Sequence, residues 1–296
     1  SKSGSELAQA APDDLAVSDA ELAGNPFRET WQTPFGVPPF EQIETADYLP
    51  AVKKALQELR ADIAVIVNNP EPPTFANTIL ALELSGGSLD KVAYTFRNIT
   101  GTDTNDELRA LQTQIYPLLT RESDAIRLSD ALYQRVKAVF DARDTIELDE
   151  QQARLLELTH RGFVRAGAAL APEVKQQIAA INEEISKLTT QFAQNLLLET
   201  KAFKLILKTP EETAGLSRDF KAAIYDSEQD AWVVGLNRSA YESFMVQSTN
   251  RALREKLFNG YRLRASQGER DNGPIAIKIA QLRAERASLM GYQSFS

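Results

Sequence analysis

Apolar residues recur every three or four positions along most of this 296-residue chain, and this spacing constrains the fold more than any other feature. It places apolar side chains on one face of an α-helix and therefore predicts a mostly α protein. Pro172 should start a helix, because proline favours the first helical turn. This helix should have about 28 residues. The other helices are expected near 48–66, 74–96 with a bend at 85–87, 104–118, 129–143, 149–169, 239–246, 249–267 and 274–290.

Two local patterns refine this picture. Thr104-x-x-Glu107 is a capping-box pattern and predicts the start of a helix at Thr104. Lys201 to Lys208 and Ala231 to Leu236 are instead rich in β-branched and aromatic residues. They predict a small β hairpin or sheet near 201–236.

The start of the chain differs from the rest in charge. Residues 1–30 carry six acids and two bases, a net charge of −4, which is half of the chain's net −8. Residues 1–25 are therefore expected to form a flexible acidic tail, and residues 26–296 one helical region. The Pro- and Phe-rich residues 25–44 predict an extended strap that is packed on something, rather than a free linker. The polar start without an initiator Met predicts a periplasmic or cell-envelope protein, with a cytoplasmic protein as the alternative.

Composition excludes several kinds of site within these residues. The absence of cysteine excludes disulfides, iron–sulfur clusters and thiolate zinc sites. His160 is the one histidine, so a zinc site built on two or three histidines cannot form within this chain. The net charge of −8 argues against a nucleic-acid partner. No apolar run approaches the ~20 residues of a membrane span.

Few residues stand out as candidates for chemistry. His160 could be a general base, but a helix-surface or interhelix hydrogen-bonding role is favoured because no second histidine follows four residues later. The adjacent pairs Glu183-Glu184 and Glu211-Glu212 do not form shared-proton dyads by spacing alone, because helical neighbours point about 100° apart. Both pairs are interpreted as solvated, with Glu211 and Glu212 in the first helical turn after Pro210.

Two further features have open alternatives. Residues 251–286 hold nine bases and four acids, a local net charge of +5. This stretch either binds an anionic partner or, as preferred here, forms a charged face balanced by acids elsewhere in the fold. Asn98-Ile99-Thr100 and Asn237-Arg238-Ser239 match glycosylation acceptors, a short motif that is usually accidental.

A set of short stretches, taken in order, resembles one family. In chain order, the stretches are Asn25 to Phe27, Pro38 to Phe40, Tyr48 to Ala51, Asn69 to Glu83, Thr104 to Leu108, Phe163 to Ala168, Leu188 to Asn195, Arg251 to Lys256 and Leu282 to Tyr292. Together they resemble the N-terminal part of a peptidyl-dipeptidase (dipeptidyl carboxypeptidase) of the thimet oligopeptidase family of zinc metallopeptidases. The resemblance extends from about Asn25 to Ser296.

The resemblance implies a helical fold that encloses a channel, in a parent enzyme that releases dipeptides from the C-termini of oligopeptides. The family binds zinc through an H-E-x-x-H helix and a downstream Glu, and this chain contains neither. Zinc is therefore expected in a C-terminal catalytic part that these residues do not include. Oligopeptide substrates and that part are the expected partners, and the chain alone is expected to be inactive.

These expectations leave the site unassigned. No catalytic or metal-binding residue can be transferred to a position here, and the substrate-binding residues are unknown. The alternative is a stand-alone helical module that binds a peptide or protein without catalysis.

Overall fold

The computed structural model describes residues 12–296, with side chains from residue 14 onward. These residues form two compact units. Unit 1 holds the described residues up to Lys187 together with Arg283–Ser296, and unit 2 is Leu188–Leu282.

Unit 1 is built from helices and short turns. Its helices are α1 (Thr45–Val67), a π-helix (Phe75–Leu80), α2 (Ala81–Glu83), α3 (Gly87–Thr102), α4 (Asp106–Arg127), α5 (Asp130–Asp141), α6 (Glu150–Ala166) and the first part of α7 (Pro172–Ala202). Its 3-10 turns are Pro12–Leu15, Pro26–Arg28, Pro34–Gly36 and Arg143–Thr145. Fully buried side chains such as Leu56, Phe96, Ile115 and Leu132 form its core.

Unit 2 adds a small sheet to its helices. After the end of α7 come β1 (Leu205–Leu207), α8 (Arg218–Ile224), β2 (Tyr225–Asp226), β3 (Ala231–Val234), α9 (Arg238–Gln247), α10 (Arg251–Leu263), a 3-10 turn (Gly268–Arg270) and α11 (Gly273–Leu289), which ends in unit 1. The strand order is β1-β3-β2, and both pairings are antiparallel. Leu205 pairs with Val234, and both side chains are buried beside Phe244 and Leu257.

The mostly α prediction with a small sheet near 201–236 is confirmed. The bend at 85–87 is also present, because Gly86 adopts a left-handed φ of 79° directly before α3. The strand predicted over Lys201 to Lys208 is too long. Helix α7 continues to Ala202, so the strand is limited to Leu205–Leu207, and β2 is a third strand that the sequence pattern did not indicate.

The predicted capping box at Thr104 is wrong by one residue. Asn105 is the N-cap of α4, and its side-chain oxygen accepts a hydrogen bond of 2.8 Å from the backbone N–H of Leu108. The hydroxyl of Thr104 is buried without a hydrogen-bond partner among the described residues. Asparagine competes well for this role because its short amide reaches the free N–H groups of the first turn.

Buried residues occur closer to the N-terminus than the composition of the segment before α1 predicted. Leu15 and Leu22, inside the segment predicted as a tail, are each only 2% exposed. The rest of that predicted tail, residues 1–11, lies outside the described residues. In the strap, the ring of Phe27 lies 5.5 Å from that of Tyr48, whereas Phe35 is fully exposed. Part of the strap is therefore packed, as predicted, and it lies on α1. No helix among the described residues is long and apolar enough to cross a bilayer.

Candidate functional site

His160 is a packing residue between two helices. Its ring stacks on Phe140 of α5, with ring centroids 3.8 Å apart and an angle of 4° between the planes. Burial lowers the pKa of His160, although the nearby Asp141 acts in the opposite direction. A ring stacked in this way joins α6 to α5. His160 therefore lies between helices, but the contact found among the described residues is ring stacking and not the predicted hydrogen bond.

The acids of the first pair are solvated, as predicted. Glu183 accepts an ion-pair hydrogen bond of 2.8 Å from Lys187 one helical turn later, and this contact lowers the pKa of Glu183. Glu184 is exposed.

The second pair corrects a prediction. No helix begins at Pro210, because residues 210–215 form turns. The carboxylate of Glu212 accepts hydrogen bonds from the backbone N–H groups of Lys208, at 2.6 Å, and Thr209, at 3.0 Å. These bonds lower the pKa of Glu212 and fold its side chain back on the end of β1. Gly215, at a φ of +88°, then takes a conformation that a helix cannot include.

The glycosylation motifs lie in helices. Asn237 is the N-cap of α9, where its side chain accepts a hydrogen bond of 2.9 Å from the N–H of Ala240, and Asn98 lies inside α3. Among residues 12–296, no group of three or more histidines or acids is arranged to hold a metal ion.

The basic stretch 251–286 has few direct acidic partners. Among the described residues, Arg270 is the base of this stretch that forms an ion pair, with 3.0 Å between its Nη1 and Oε1 of Glu199. The preferred interpretation was a charged face balanced by acids elsewhere in the fold. Among the described residues, such a direct pairing is found at Arg270. Unit 2 as a whole has 13 bases and 11 acids, a net charge of +2, whereas the sequence of unit 1 has 20 bases and 30 acids, a net charge of −10.

Three of the side chains in or near this stretch form a stack in unit 2. The rings of Tyr241 on α9 and Tyr261 on α10 are 4.2 Å apart, and the guanidinium of Arg264 lies 3.8 Å from the centre of the Tyr261 ring. All three side chains are half-buried. Nη1 of Arg264 is out of contact with solvent and has no hydrogen-bond acceptor in the described part of the chain. This cation–π stack is the candidate functional site.

The segment after α10 fixes the position of Arg264. Ala265 adopts a φ of 53°, a left-handed conformation that is uncommon for alanine, and its carbonyl accepts a hydrogen bond of 2.8 Å from the N–H of Asn272. The side chain of Asn272 is buried and donates to the carbonyl of Phe192 on α7 at 2.9 Å. The backbone beside Arg264 is therefore tied to unit 2 by specific hydrogen bonds.

Unit 1 holds a second polar cluster that the sequence did not reveal. Oδ1 of Asp124 on α4 accepts a hydrogen bond of 3.0 Å from Asn182 on α7, and Asn182 in turn accepts one from Arg286 on α11. Oδ2 of Asp124 is buried without a partner among the described residues. Burial raises the pKa of Asp124 to about 6, in spite of the hydrogen bond from Asn182 and the positive charge of Arg286.

Comparison with known proteins agrees with the resemblance stated above. The chain is 35% identical to the dipeptidyl carboxypeptidase of Escherichia coli over 92% of its own length and 41% of that protein. It is 33% identical to the dipeptidyl carboxypeptidase of Salmonella typhimurium, covering 93% of the chain and 41% of that protein. It is also 28% identical to the oligopeptidase A of the same organism, over 89% and 40%.

These matches cover only part of the length of each relative. No protein-family profile matches the chain. The chain spans about 41% of the length of the curated dipeptidyl carboxypeptidases it matches. Within that span the similarity is continuous over nearly all of the chain, which is a homologue of dipeptidyl carboxypeptidases and oligopeptidases A.

Proposed function

We propose that this chain is the N-terminal part of a zinc-dependent peptidyl-dipeptidase, which releases dipeptides from the C-termini of oligopeptides. The observation that carries the proposal is the 35% identity to a dipeptidyl carboxypeptidase over 92% of the chain. The identity to oligopeptidase A is lower, at 28%, which favours the activity of the dipeptidyl carboxypeptidases.

In this proposal the zinc chemistry belongs to a part of the parent protein beyond these residues. A catalytic zinc needs three protein ligands and an open position, and the usual helical motif supplies two histidines four residues apart. The chain has a single histidine, and its ring is stacked on Phe140. The role of this chain is then to form wall around the bound peptide, and the chain alone is inactive.

A stand-alone binding module is the second candidate. It is favoured by the cation–π stack of unit 2, in which the guanidinium of Arg264 lies against the ring of Tyr261 without an acidic partner in the described residues. Such a module would bind peptides or proteins through this surface without cleaving them.

The source gene separates the two functions. A reading frame that continues beyond Ser296 and encodes an H-E-x-x-H helix supports the peptidase. The complete gene product should then contain one zinc ion per chain by elemental analysis, and the 296-residue chain, purified in parallel as the control, should contain none in stoichiometric amount. A stop codon directly after Ser296 would refute the peptidase and leave the binding module. Tight stoichiometric zinc in the 296-residue chain would contradict both.

The compartment stays a separate prediction. A periplasmic or cell-envelope location requires an export segment encoded upstream of Ser1. A start codon directly before Ser1 would favour the cytoplasm.

A further inference from the structure

Three charged side chains among the described residues have a buried atom without a hydrogen-bond partner: Asp124, Arg135 and Arg264. Oδ2 of Asp124 and Nη1 of Arg264 are both out of solvent and lack a hydrogen-bond partner in the part of the chain described. A buried charge without a partner is costly, so each needs a means of relief. Asp124 can take up a proton and become neutral. Arginine stays protonated in proteins, so Arg264 needs an anion or another acceptor.

Arg264 also differs from the other arginine that has an unsatisfied buried nitrogen. Arg135 leaves its Nε without a partner, but its Nη1 donates to the carbonyl of Asn69 at 3.1 Å and its Nη2 to the side chain of Asn77 at 3.3 Å. Arg135 is therefore held by the protein itself. The interaction found for Arg264 within the described residues is its stack on Tyr261.

The surroundings of Arg264 favour an anion from outside. The nearby acid on α9, Glu242, is paired with Arg238 at 2.7 Å and is thus already neutralised. Helix α10 and Arg264 together carry Arg251, Arg254, Lys256, Arg262 and Arg264 against the single acid Glu255. This local excess of cations attracts an anion.

We propose that the stack of Tyr241, Tyr261 and Arg264 is a binding site for a carboxylate, supplied either by the C-terminus of a peptide or by an acidic side chain of a protein segment. A planar guanidinium offers pairs of parallel N–H donors, the arrangement that a carboxylate accepts in bidentate form. Nη1 of Arg264 is out of contact with solvent, so a carboxylate from outside would accept from Nε and Nη2, which are not among the buried unsatisfied atoms. Arg264 is half-buried, which limits screening of its charge by salt. The inference rests on unit 2 alone and holds whether or not the parent protein is a peptidase.

Binding can be measured with the 296-residue chain and short peptide probes. N-acetyl-Ala-Ala with a free C-terminus tests a terminal carboxylate, and the same peptide with an amidated C-terminus is its control. N-acetyl-Ala-Glu-Ala-amide tests a side-chain carboxylate, and the Gln peptide is its control. Nuclear magnetic resonance follows the side-chain Nε–H of Arg264 during each titration.

A shift of the Arg264 signal with a carboxylate probe and not with its uncharged control supports the site. Shifts with the free C-terminus alone identify a peptide terminus as the ligand. Shifts with the Glu peptide as well identify a protein segment as a further source. Arg264→Gln should weaken binding at least tenfold, while Arg262→Gln, which removes the same charge two residues away, should change it less than twofold.

The proposal fails if no carboxylate probe shifts the Arg264 signal, or if Arg262→Gln weakens binding as much as Arg264→Gln. The second result would indicate general charge attraction without a defined site. If Arg264→Gln does not fold by circular dichroism, Arg264→Lys decides, because it keeps the charge and loses the planar fork. A loss of binding of at least threefold in Arg264→Lys supports the site, and unchanged binding overturns it.

Discussion

The two units of this chain differ in the partners of their half-buried arginines. In unit 1, Glu122 is only 4% exposed and accepts hydrogen bonds from Nε of Arg60, at 2.7 Å, and from Nη2. Arg121 is likewise paired with Asp14. In unit 2, Arg264 is stacked on a tyrosine without an acid among the described residues. Unit 1 thus pairs Arg60 and Arg121 with acids of its own, whereas Arg264 of unit 2 has a ring as its partner among the described residues.

The largest expected effect concerns the buried ion pair of unit 1. Glu122→Ala leaves Arg60 without its acid and should destabilise unit 1 by about 3–5 kcal/mol, the usual cost of removing one partner of a buried pair. Each unit holds one tryptophan, Trp31 in unit 1 and Trp232 in unit 2. Urea unfolding of a Trp232→Phe background, followed by the fluorescence of Trp31, measures unit 1 alone.

A double variant serves as the control for that result. Arg60→Met with Glu122→Leu removes both charges together and should recover most of the lost stability. If Glu122→Ala costs less than 1 kcal/mol, the pair does not hold unit 1 together and the contrast between the units is wrong.

The next effect is a pH dependence of unit 1. The pKa of Asp124 rises from 3.8 in the unfolded chain to about 6 in the folded protein, so the folded state favours the protonated carboxyl. This contribution to stability is complete below pH 3.8 and is lost as the pH rises to about 6. The free energy of unfolding should therefore fall across this range by at most about 3 kcal/mol, after subtraction of the response of Asp124→Asn.

The same Asp124→Asn variant can also contradict the predicted pH dependence. It keeps the shape of the carboxyl and removes its titration. If the wild type and Asp124→Asn show parallel pH profiles in urea unfolding followed by Trp31, burial does not raise the pKa of Asp124.

A smaller effect is expected in the packing of unit 2. A Cβ atom on Gly260 would lie 2.4 Å from Cε2 of Phe203, so α10 packs directly on that ring. Gly260→Ala should destabilise unit 2 by about 1–3 kcal/mol, the usual cost of overpacking. Fluorescence of Trp232 in a Trp31→Phe background measures it. Gly101→Ala, in open space on α3, is the control and should not destabilise unit 1.

The smallest effect tests the start of α4. Asn105→Ala removes the helix cap and should cost unit 1 about 1 kcal/mol. Thr104→Ala removes a hydroxyl that has no partner in the described residues and should cost less. The opposite order in thermal unfolding would restore Thr104 as the cap.

The helices and the small sheet could be predicted because burial on one face requires a regular apolar spacing. Helix ends were less predictable, since side-chain bonds to the backbone decide them. Asn105 and Thr104 are both good caps by residue type, and only geometry selects Asn105. Glu212 likewise forms a turn where the sequence pattern predicted a helix. Strand β2 has two residues, too few for any alternation to appear.

The candidate site was only partly predictable. The excess of bases in 251–286 is visible in the sequence, but the choice of Arg264 depends on which bases have acids nearby in space. Arg270 meets Glu199, 71 residues away, whereas Arg264 meets a ring three residues away. Asp124 resembles any solvated acid in sequence, and its burial arises from contacts with α7 and α11.

The proposed function can be tested by the release of dipeptides from an oligopeptide, measured by mass spectrometry for the complete gene product and for the 296-residue chain. We expect the complete product to remove dipeptides stepwise from the free C-terminus and to lose this activity with a zinc chelator. The 296-residue chain should release none. Release of dipeptides by the 296-residue chain, or none by a complete product that carries the zinc motif, would contradict the proposed function.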